Sequence, residues 1–268
     1  MWSAYLEMIR IKFLMMLAYR VNYYSGILVY SINIGAYYFL WNAVYASKIG
    51  SGATMGGLSA VQMTTYIAIS WMARAFYFNN LDREIATEIR DGTVVVELLR
   101  PYHYLVIKIM QAFGEGLFRF LFFMIPGMVL AVFLFPVQLP KHASAWGWFL
   151  VSIVLSFILN SMLNMLTGLS SFFIFNNQGL IRAKRILVDL LSGLFLPLSY
   201  YPLWAQKIMN DLPFQGISYL PNLLFTGVLH GHAAWLAIGR QMLWIAIFLV
   251  ILQIVWRKAA RSLTVQGG

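Results

Sequence analysis

The sequence predicts an all-α polytopic membrane protein with six transmembrane helices, and three observations support this. First, 61% of the 268 residues are hydrophobic and 10% are charged, with a mean hydropathy of +0.74; a soluble domain carries about 25% charged residues. Second, the apolar residues form runs long enough to cross the hydrocarbon core of a bilayer, which needs about 20 helical residues. Third, Lys and Arg are concentrated in alternate connecting segments.

Composition also excludes several functions. The net charge of +10 comes from Lys and Arg in the loops, where they set topology and contact anionic lipid, so it does not indicate a nucleic-acid partner. The absence of cysteine from the sequence rules out disulfides, thiolate metal sites and a Cys nucleophile. The chain also lacks a G-x-x-x-x-G-K-[ST] loop, a G-x-S-x-G motif and an H-E-x-x-H motif, so it holds no nucleotide or catalytic motif of these types.

The first 20 residues are amphipathic. Trp2, Tyr5, Ile9, Phe13 and Met16 recur at helical spacing, and charged residues interrupt the pattern. This is typical of a helix that lies in the membrane interface, and the alternative is an irregular start of the first span.

The chain is predicted to form a single transmembrane domain over residues 1–268, with one bend in its third span. Residues 103–115 are expected to be an interfacial lead-in to that span, and Pro126-Gly127 permits the bend. The six spans are predicted at about 21–45, 58–78, 116–135, 146–175, 186–201 and 235–256.

The distribution of positive charge predicts the orientation. If the N-terminus is cytoplasmic, the inside segments hold 13 Lys and Arg and the outside segments hold 4, with Arg74 and Arg119 inside spans. Cytoplasmic loops carry the excess of Lys and Arg in membrane proteins. Both termini are therefore expected to be cytoplasmic.

The segment 79–103 is the most highly charged part of the chain and is predicted to be a cytoplasmic loop. Residues 81–101 hold five of the nine acidic residues. Leu81, Ile85 and Ile89 recur every four residues and predict a short amphipathic helix, capped by Asn80 and ended by Asp91-Gly92. This helix either docks on a partner protein or lies on lipid headgroups.

Four charged residues lie at or near the cytoplasmic ends of predicted spans: Arg74, Glu115, Arg119 and Asp189. Glu115 and Arg119 are four residues apart on one helix and can pair, and Asp189 is close in sequence to Lys184 and Arg185. The four residues are interpreted either as interfacial anchors with local pairing or as a polar cytoplasmic gate.

The fourth predicted span carries polar side chains at Ser156, Asn160 and Asn164. In a membrane helix such residues serve close helix packing or line a polar pathway, and both uses remain open. His230 and His232 are close together, but no carboxylate cluster accompanies them, so the sequence predicts a polar loop turn there and no metal site.

The segment 202–234 is neither clearly spanning nor clearly soluble. Trp204, Ile208 and Leu212 give one apolar face, whereas Lys207 and Asp211 lie off it. A segment this short and polar is not expected to cross the bilayer, so partial insertion from the outside is predicted.

Two stretches carry a family resemblance. The run GLFLPLSYYPLWAQKIMNDLPFQGISYLP at 193–221 contains a span broken at proline, and IRDGTVVVELLRP occupies 89–101. Together with the layout of six spans and an N-terminal in-plane helix, these resemble the permease subunits of ABC-2 type ABC transporters, exporters that work with a separate ATPase.

The resemblance implies several partners and roles. Two permeases, identical or homologous, would pair, and two ABC ATPase subunits carrying ATP and Mg would dock beneath them, so this chain would be non-catalytic and hold no cofactor of its own. It would lie in a bacterial inner membrane and export a drug, lipid or glycan, with residues 202–234 re-entrant between spans five and six. The ATPase-coupling residues would be Leu81, Arg83, Glu84, Ile85, Glu88, Ile89, Arg90 and Gly92.

Two alternatives belong to other classes of protein. A membrane-embedded lipid-modifying enzyme would need polar catalytic groups converging at one depth, and His230 and His232 are the weak candidates. A secondary carrier would show ionisable residues near the middle of the membrane, whereas here they gather towards one face.

Overall fold

The computed structural model describes residues 2–18, 21–49, 54–174 and 176–261. Within these residues the chain folds into helices joined by turns, with one isolated β-bridge between Met55 and Leu58. The α-helices are α1 (Trp2–Ala18), α2 (Val21–Ile49), α3 (Ala60–Tyr77), α4 (Leu81–Arg90), α5 (Val94–Leu98), α6 (Tyr104–Arg119), α7 (Ile125–Leu134), α8 (Ala143–Leu169), α9 (Gln178–Leu191), α10 (Leu203–Asp211), α11 (Tyr219–Phe225) and α12 (His232–Arg261).

Four helical segments among the described residues are long and apolar enough to cross a membrane. They are Tyr24–Ser47, Tyr104–Leu134, Ala143–Phe172 and His232–Ala259. The protein is therefore a helical, multi-pass membrane protein. The predicted spans 21–45, 146–175 and 235–256 correspond to three of these segments.

Helix α3 forms the centre of the core. Thirteen of its 18 residues are buried, and it packs against α2, α6, α7, α8 and α11. It begins in a capping box, in which the Ser59 side chain accepts from the Gln62 backbone N–H and the Gln62 side chain accepts from the Ser59 N–H. It occupies the second predicted span, 58–78.

The third predicted span differs from the structure at its start and at its bend. Residues 104–134 form one candidate span by length and composition, which is longer than the predicted 116–135 and continuous with the segment predicted to lie at the interface. The irregularity is a π-helical segment, Phe120–Met124, just before Pro126 in the first turn of α7. Because proline has no N–H to donate, a π segment upstream is one way to accommodate it inside a membrane helix.

The helix predicted at 186–201 is also placed differently. Helix α9 begins at Gln178 and ends at Leu191, and the chain then turns at Gly193, which has a φ of +78°. Glycine takes this conformation readily, and other residues do not. Apolar composition alone suggested a helix through this turn, and residues 198–200 instead form a short 3-10 helix.

The segment predicted to lie between the last two spans contains short helices. Helices α10 and α11 flank a 3-10 turn at Pro213–Gly216. Trp204 and Ile208, on the predicted apolar face of α10, are exposed, whereas α11 is largely buried against α8 and α3.

The N-terminal helix α1 packs along α6. The Phe13 and Phe118 rings meet edge to face with centroids 6.0 Å apart, and the Tyr5 hydroxyl accepts from the His103 N–H at 3.2 Å. Helix α1 therefore lies beside the start of the α6–α7 span.

Candidate functional site

The charged loop forms the helix that the sequence predicts, with the predicted end. Helix α4 spans Leu81–Arg90, and Gly92 follows it with a φ of +73°, so the chain turns where a glycine is required. A second helix, α5, follows at Val94–Leu98.

The apolar stripe of α4 is turned inwards. Leu81 is 2% exposed and Ile85 is fully buried, and Ile85 lies against Gly168 of α8. The prediction that this stripe contacts a partner protein is therefore wrong for Leu81 and Ile85, because the chain covers them itself. Ile89, one turn further along, is half-buried against the same core.

Polar contacts fix α4 to α9 and α8 as well. The Asp82 carboxylate, 1% exposed, accepts from Lys184 Nζ of α9 at 2.7 Å. Lys184 also donates to the Asn164 side-chain oxygen on α8. Burial lowers the pKa of Lys184, and the charge of Asp82 opposes this effect. The pair therefore joins three helices at one buried point.

A third attachment joins α4 to α6. The Glu88 carboxylate accepts from Lys108 and, at 2.7 Å, from the Tyr104 hydroxyl. Lys108 is buried, so Glu88 neutralises a charge that would be costly alone. Helix α4 is thus bound on one side to α8 and α9 and on the other to α6.

Asn80 occupies the N-cap position but does not cap α4 with its side chain. Its side-chain oxygen instead accepts from Arg185 at 3.2 Å, while its backbone carbonyl accepts from the Arg83 and Glu84 N–H groups. The predicted capping bond is therefore replaced by another link to α9.

The four residues predicted as a gate form two separate pairs. Arg74 of α3 donates to Asp189 of α9 through its two terminal guanidinium nitrogens, so Asp189 pairs with Arg74 and not with the nearby Lys184. Glu115 and Arg119 pair along α6, as the i, i+4 spacing predicts. Arg119 also donates to the Phe78 carbonyl at 2.6 Å, at the end of α3.

The polar residues of α8 bind other parts of the same chain. Asn160 donates to the Tyr77 carbonyl at 2.9 Å, and Asn164 donates to Asn79 at 2.8 Å. The Ser156 hydroxyl lies 2.9 Å from the Gly216 carbonyl. All three side chains are buried, which supports the helix-packing interpretation.

A small polar space lies between these groups. Its lining includes Arg74, Asn160, Asn164, Lys184 and Asp189, and its volume is about 20 Å³. A cavity of this size holds about one water molecule. In this conformation the space is too small for a larger solute.

A comparison with known protein families identifies the class of protein. The family model described as an ABC-2 family transporter protein matches residues 31–267. The chain belongs to the ABC-2 transporter family. It is a transmembrane transporter permease, in agreement with its apolar spans. No curated protein matches the chain.

In this ABC-2 permease His230 lies in the connection between α11 and α12, and His232 is the first residue of α12. His230 Nδ1 is 3.2 Å from the Gly227 carbonyl oxygen. Among the described residues, no group of three or more His, Cys, Asp or Glu side chains is arranged to hold a metal ion.

The part of the charged loop that faces outwards differs from the predicted one. Arg83, Thr87 and Arg90 are exposed on α4. Beyond Gly92, the exposed fractions are 37% for Val95, 58% for Val96 and 81% for Leu99. We call these six residues the α4–α5 surface. Sequence periodicity indicated the stripe of Leu81, Ile85 and Ile89, two of which are buried. The apolar run VVVELL at 94–99 was the sequence signal that could have indicated the exposed apolar side chains.

Proposed function

We propose that this permease is the membrane subunit of an ATP-driven exporter and that its ABC ATPase docks on the α4–α5 surface. Six crossings, with α3 and the 186–201 region added to the four apolar spans, would leave both termini and the α4–α5 loop in the cytoplasm. Two permeases, identical or homologous, would pair above two ATPase subunits that hold ATP and Mg. The substrate would be a hydrophobic or amphipathic molecule, and the membrane a bacterial inner membrane.

The observation that carries the proposal is the contrast between the two sides of the α4–α5 loop. Its inner side is fixed to α8, α9 and α6 through Ile85, Asp82 and Glu88. Its exposed side chains include the apolar Val95, Val96 and Leu99 as well as two arginines. Apolar side chains clustered on an exposed, charged surface are typical of a protein interface.

This arrangement suits the transmission of movement. A partner that pushes on α5 moves α4, because the turn at Gly92 is short. Helix α4 in turn is hydrogen-bonded to α6 and α9 and packs on α8. A displacement at the docking surface therefore reaches three helices of the membrane domain. A helix resting on lipid headgroups would direct its apolar stripe to the membrane, whereas the stripe of α4 lies on α8.

The test is co-purification of the permease with its ABC ATPase. Val96→Glu and Leu99→Glu each remove an apolar contact of about 1.5–3 kcal/mol, which corresponds to a weakening of about 10- to 100-fold. Both variants should retain the thermal stability of the wild type, because both side chains are exposed. Lys207→Glu, in the segment expected to lie outside, is the control and should bind normally.

Two results would contradict the proposal. One is that no ABC ATPase binds the wild-type permease. The other is that Leu99→Glu binds the ATPase with unchanged affinity, in which case the surface rests on lipid or serves topology alone.

A further inference from the structure

Two adjoining cavities lie near one end of the α7 and α8 spans. The larger is a groove of about 450 Å³ between α7 and α8, closed at its base by α3 and α11. Its lining is apolar throughout and includes Met124, Val129, Phe133, Trp146 and Phe225. Helix α7 packs on α2 and α3, so this side of it remains open towards α8.

The smaller cavity, which we call the polar cavity for its four polar side chains, also has apolar lining residues and a volume of about 190 Å³. It is lined by the loop 138–142, by the start of α8 and by the residues after α11. Leu139 and Phe225 line both cavities, so the two are neighbours with a common wall. One is suited to a hydrocarbon chain and the other to a polar group.

The positions of the two cavities match the orientation of a lipid in a bilayer. The loop 136–142 connects two candidate spans, Tyr104–Leu134 and Ala143–Phe172, so it lies at a membrane surface whichever way the chain is oriented. The groove runs from there along α7 and α8, towards the hydrocarbon. A lipid with its headgroup in the polar cavity would thus place one of its acyl chains in the groove.

Charge indicates the type of headgroup. Lys141 lines the polar cavity, and within the described residues it forms no ion pair. None of the nine described lining residues is acidic. The cavity also adjoins the first turn of α8, and the positive end of the helix dipole favours an anion there. An anionic group is favoured over a zwitterionic one.

We propose that the groove and the polar cavity together bind one anionic phospholipid of the surrounding membrane. The acyl chain fills the groove because an unfilled space would deprive its lining of dispersion contacts, and the phosphate and its polar substituent lie beside Lys141. A helix of a second copy fits less well. A helix is about 10 Å across, so the groove holds about one turn of it, and a helix would leave the cationic cavity empty.

The test is native mass spectrometry of the full-length protein released from nanodiscs of equal parts phosphatidylglycerol and phosphatidylcholine. The wild type should retain one phosphatidylglycerol per chain. Val129→Trp, which places an indole in the groove from an exposed position of α7, should reduce that retention at least 10-fold. Lys141→Gln should still retain a lipid but lose the preference for phosphatidylglycerol.

Two variants control for the size and charge changes. Leu121→Trp adds the same ring at an exposed position that does not line the groove, and Lys207→Gln removes a lysine that does not line the polar cavity. Both should behave as the wild type.

Three outcomes would overturn the proposal. The first is a wild type that retains no lipid, and the second is equal retention by Val129→Trp. The third is oxidative cross-linking of two chains through Val129→Cys in this cysteine-free sequence, which would show that a second copy covers the groove.

Discussion

Gly168 of α8 lies directly against Ile85 of α4. A Cβ added at Gly168 would come within 2.8 Å of the Ile85 Cβ and 3.0 Å of the Asp82 carbonyl oxygen. Because Gly168 has no side chain, the backbones of α4 and α8 come close together, as small residues in membrane helices allow. This contact holds the α4–α5 loop on the transmembrane helices.

Gly168→Val should therefore separate α4 from α8. The added atoms meet a backbone oxygen and a buried side chain, so we expect a loss of about 1–3 kcal/mol from overpacking and weaker stimulation of the ATPase by substrate. Thermal unfolding in detergent and ATPase assays of the reconstituted complex measure the two effects. Gly147→Val is the matched control on the same helix, because a Cβ there meets nothing within 4 Å; equal behaviour of the two variants would contradict the prediction.

Ile85→Asp should destabilise the permease itself. Ile85 is fully buried, so the change removes core packing and places a carboxylate where it has no water, at a cost of at least about 3 kcal/mol. Thr87→Asp, on the exposed side of the same helix, should have little effect on stability. The midpoint of thermal unfolding distinguishes them, and an Ile85→Asp protein as stable as the wild type would show that α4 does not rest on α8.

The local structure of the α4–α5 loop could be predicted from the sequence, but the element that covers its apolar side could not. The spacing of Leu81, Ile85 and Ile89 and the glycine at 92 predicted a helix and its end, and the structure has both. Periodicity shows which face is apolar, but it cannot tell a partner from another helix of the same chain. The decisive residue, Gly168, lies in another helix and has no side chain of its own to signal the contact.

The ion pairs show the same limit. Glu115 and Arg119 are one turn apart, so their pairing could be predicted from spacing. Arg74 and Asp189 are 115 positions apart in the sequence, and Asp82 and Lys184 are 102 positions apart. No local pattern indicates partners at such separations. The end of α9 was missed for another reason, because apolar composition outweighed the turn signal of Gly193.

The orientation can be tested directly because the sequence contains no cysteine. A single cysteine at Ala143 or Gln206 should react with an impermeant maleimide in intact cells, and one at Thr87 should react only after the membrane is opened. The excess of Lys and Arg in the segments assigned to the cytoplasm is the physical reason. Labelling of Thr87→Cys from outside would reverse the orientation and would remove the α4–α5 surface from the cytoplasm.

Arg74 and Asp189 should show strong energetic coupling. Their side chains are 14% and 18% exposed, so removing one partner leaves a poorly hydrated charge, and such losses cost about 3–5 kcal/mol. Arg74→Met and Asp189→Leu should each lower stability by an amount in this range, and the double variant should lose less than the sum of the two. Thermal unfolding of all four proteins completes the double-mutant cycle; additive losses would mean that the pair makes no stabilising contact.

The position of the 3-10 turn at Pro213–Gly216 should depend on one buried amide in α12. Gln241 is 1% exposed; its Nε2 donates to the Gly216 carbonyl at 2.7 Å, and its Oε1 accepts from the Ser152 hydroxyl at 2.9 Å. Gln241→Leu keeps most of the volume but removes both bonds, which leaves the carbonyl of the 3-10 turn dependent on Ser156 alone. Leaving buried polar groups unsatisfied costs about 1–3 kcal/mol.

Hydrogen exchange at residues 213–219 is the sharpest measurement of this loss, since the 3-10 turn is held to α8 and α12 through these bonds. Exchange there should rise in Gln241→Leu while exchange in α4 stays unchanged, because α4 is fixed by separate contacts to α8, α9 and α6. Gln253→Leu makes the same substitution at an exposed position of α12 and should leave exchange at 213–219 as in the wild type. If both variants, or neither, loosened the turn, Gln241 would not be what holds the 3-10 turn in place.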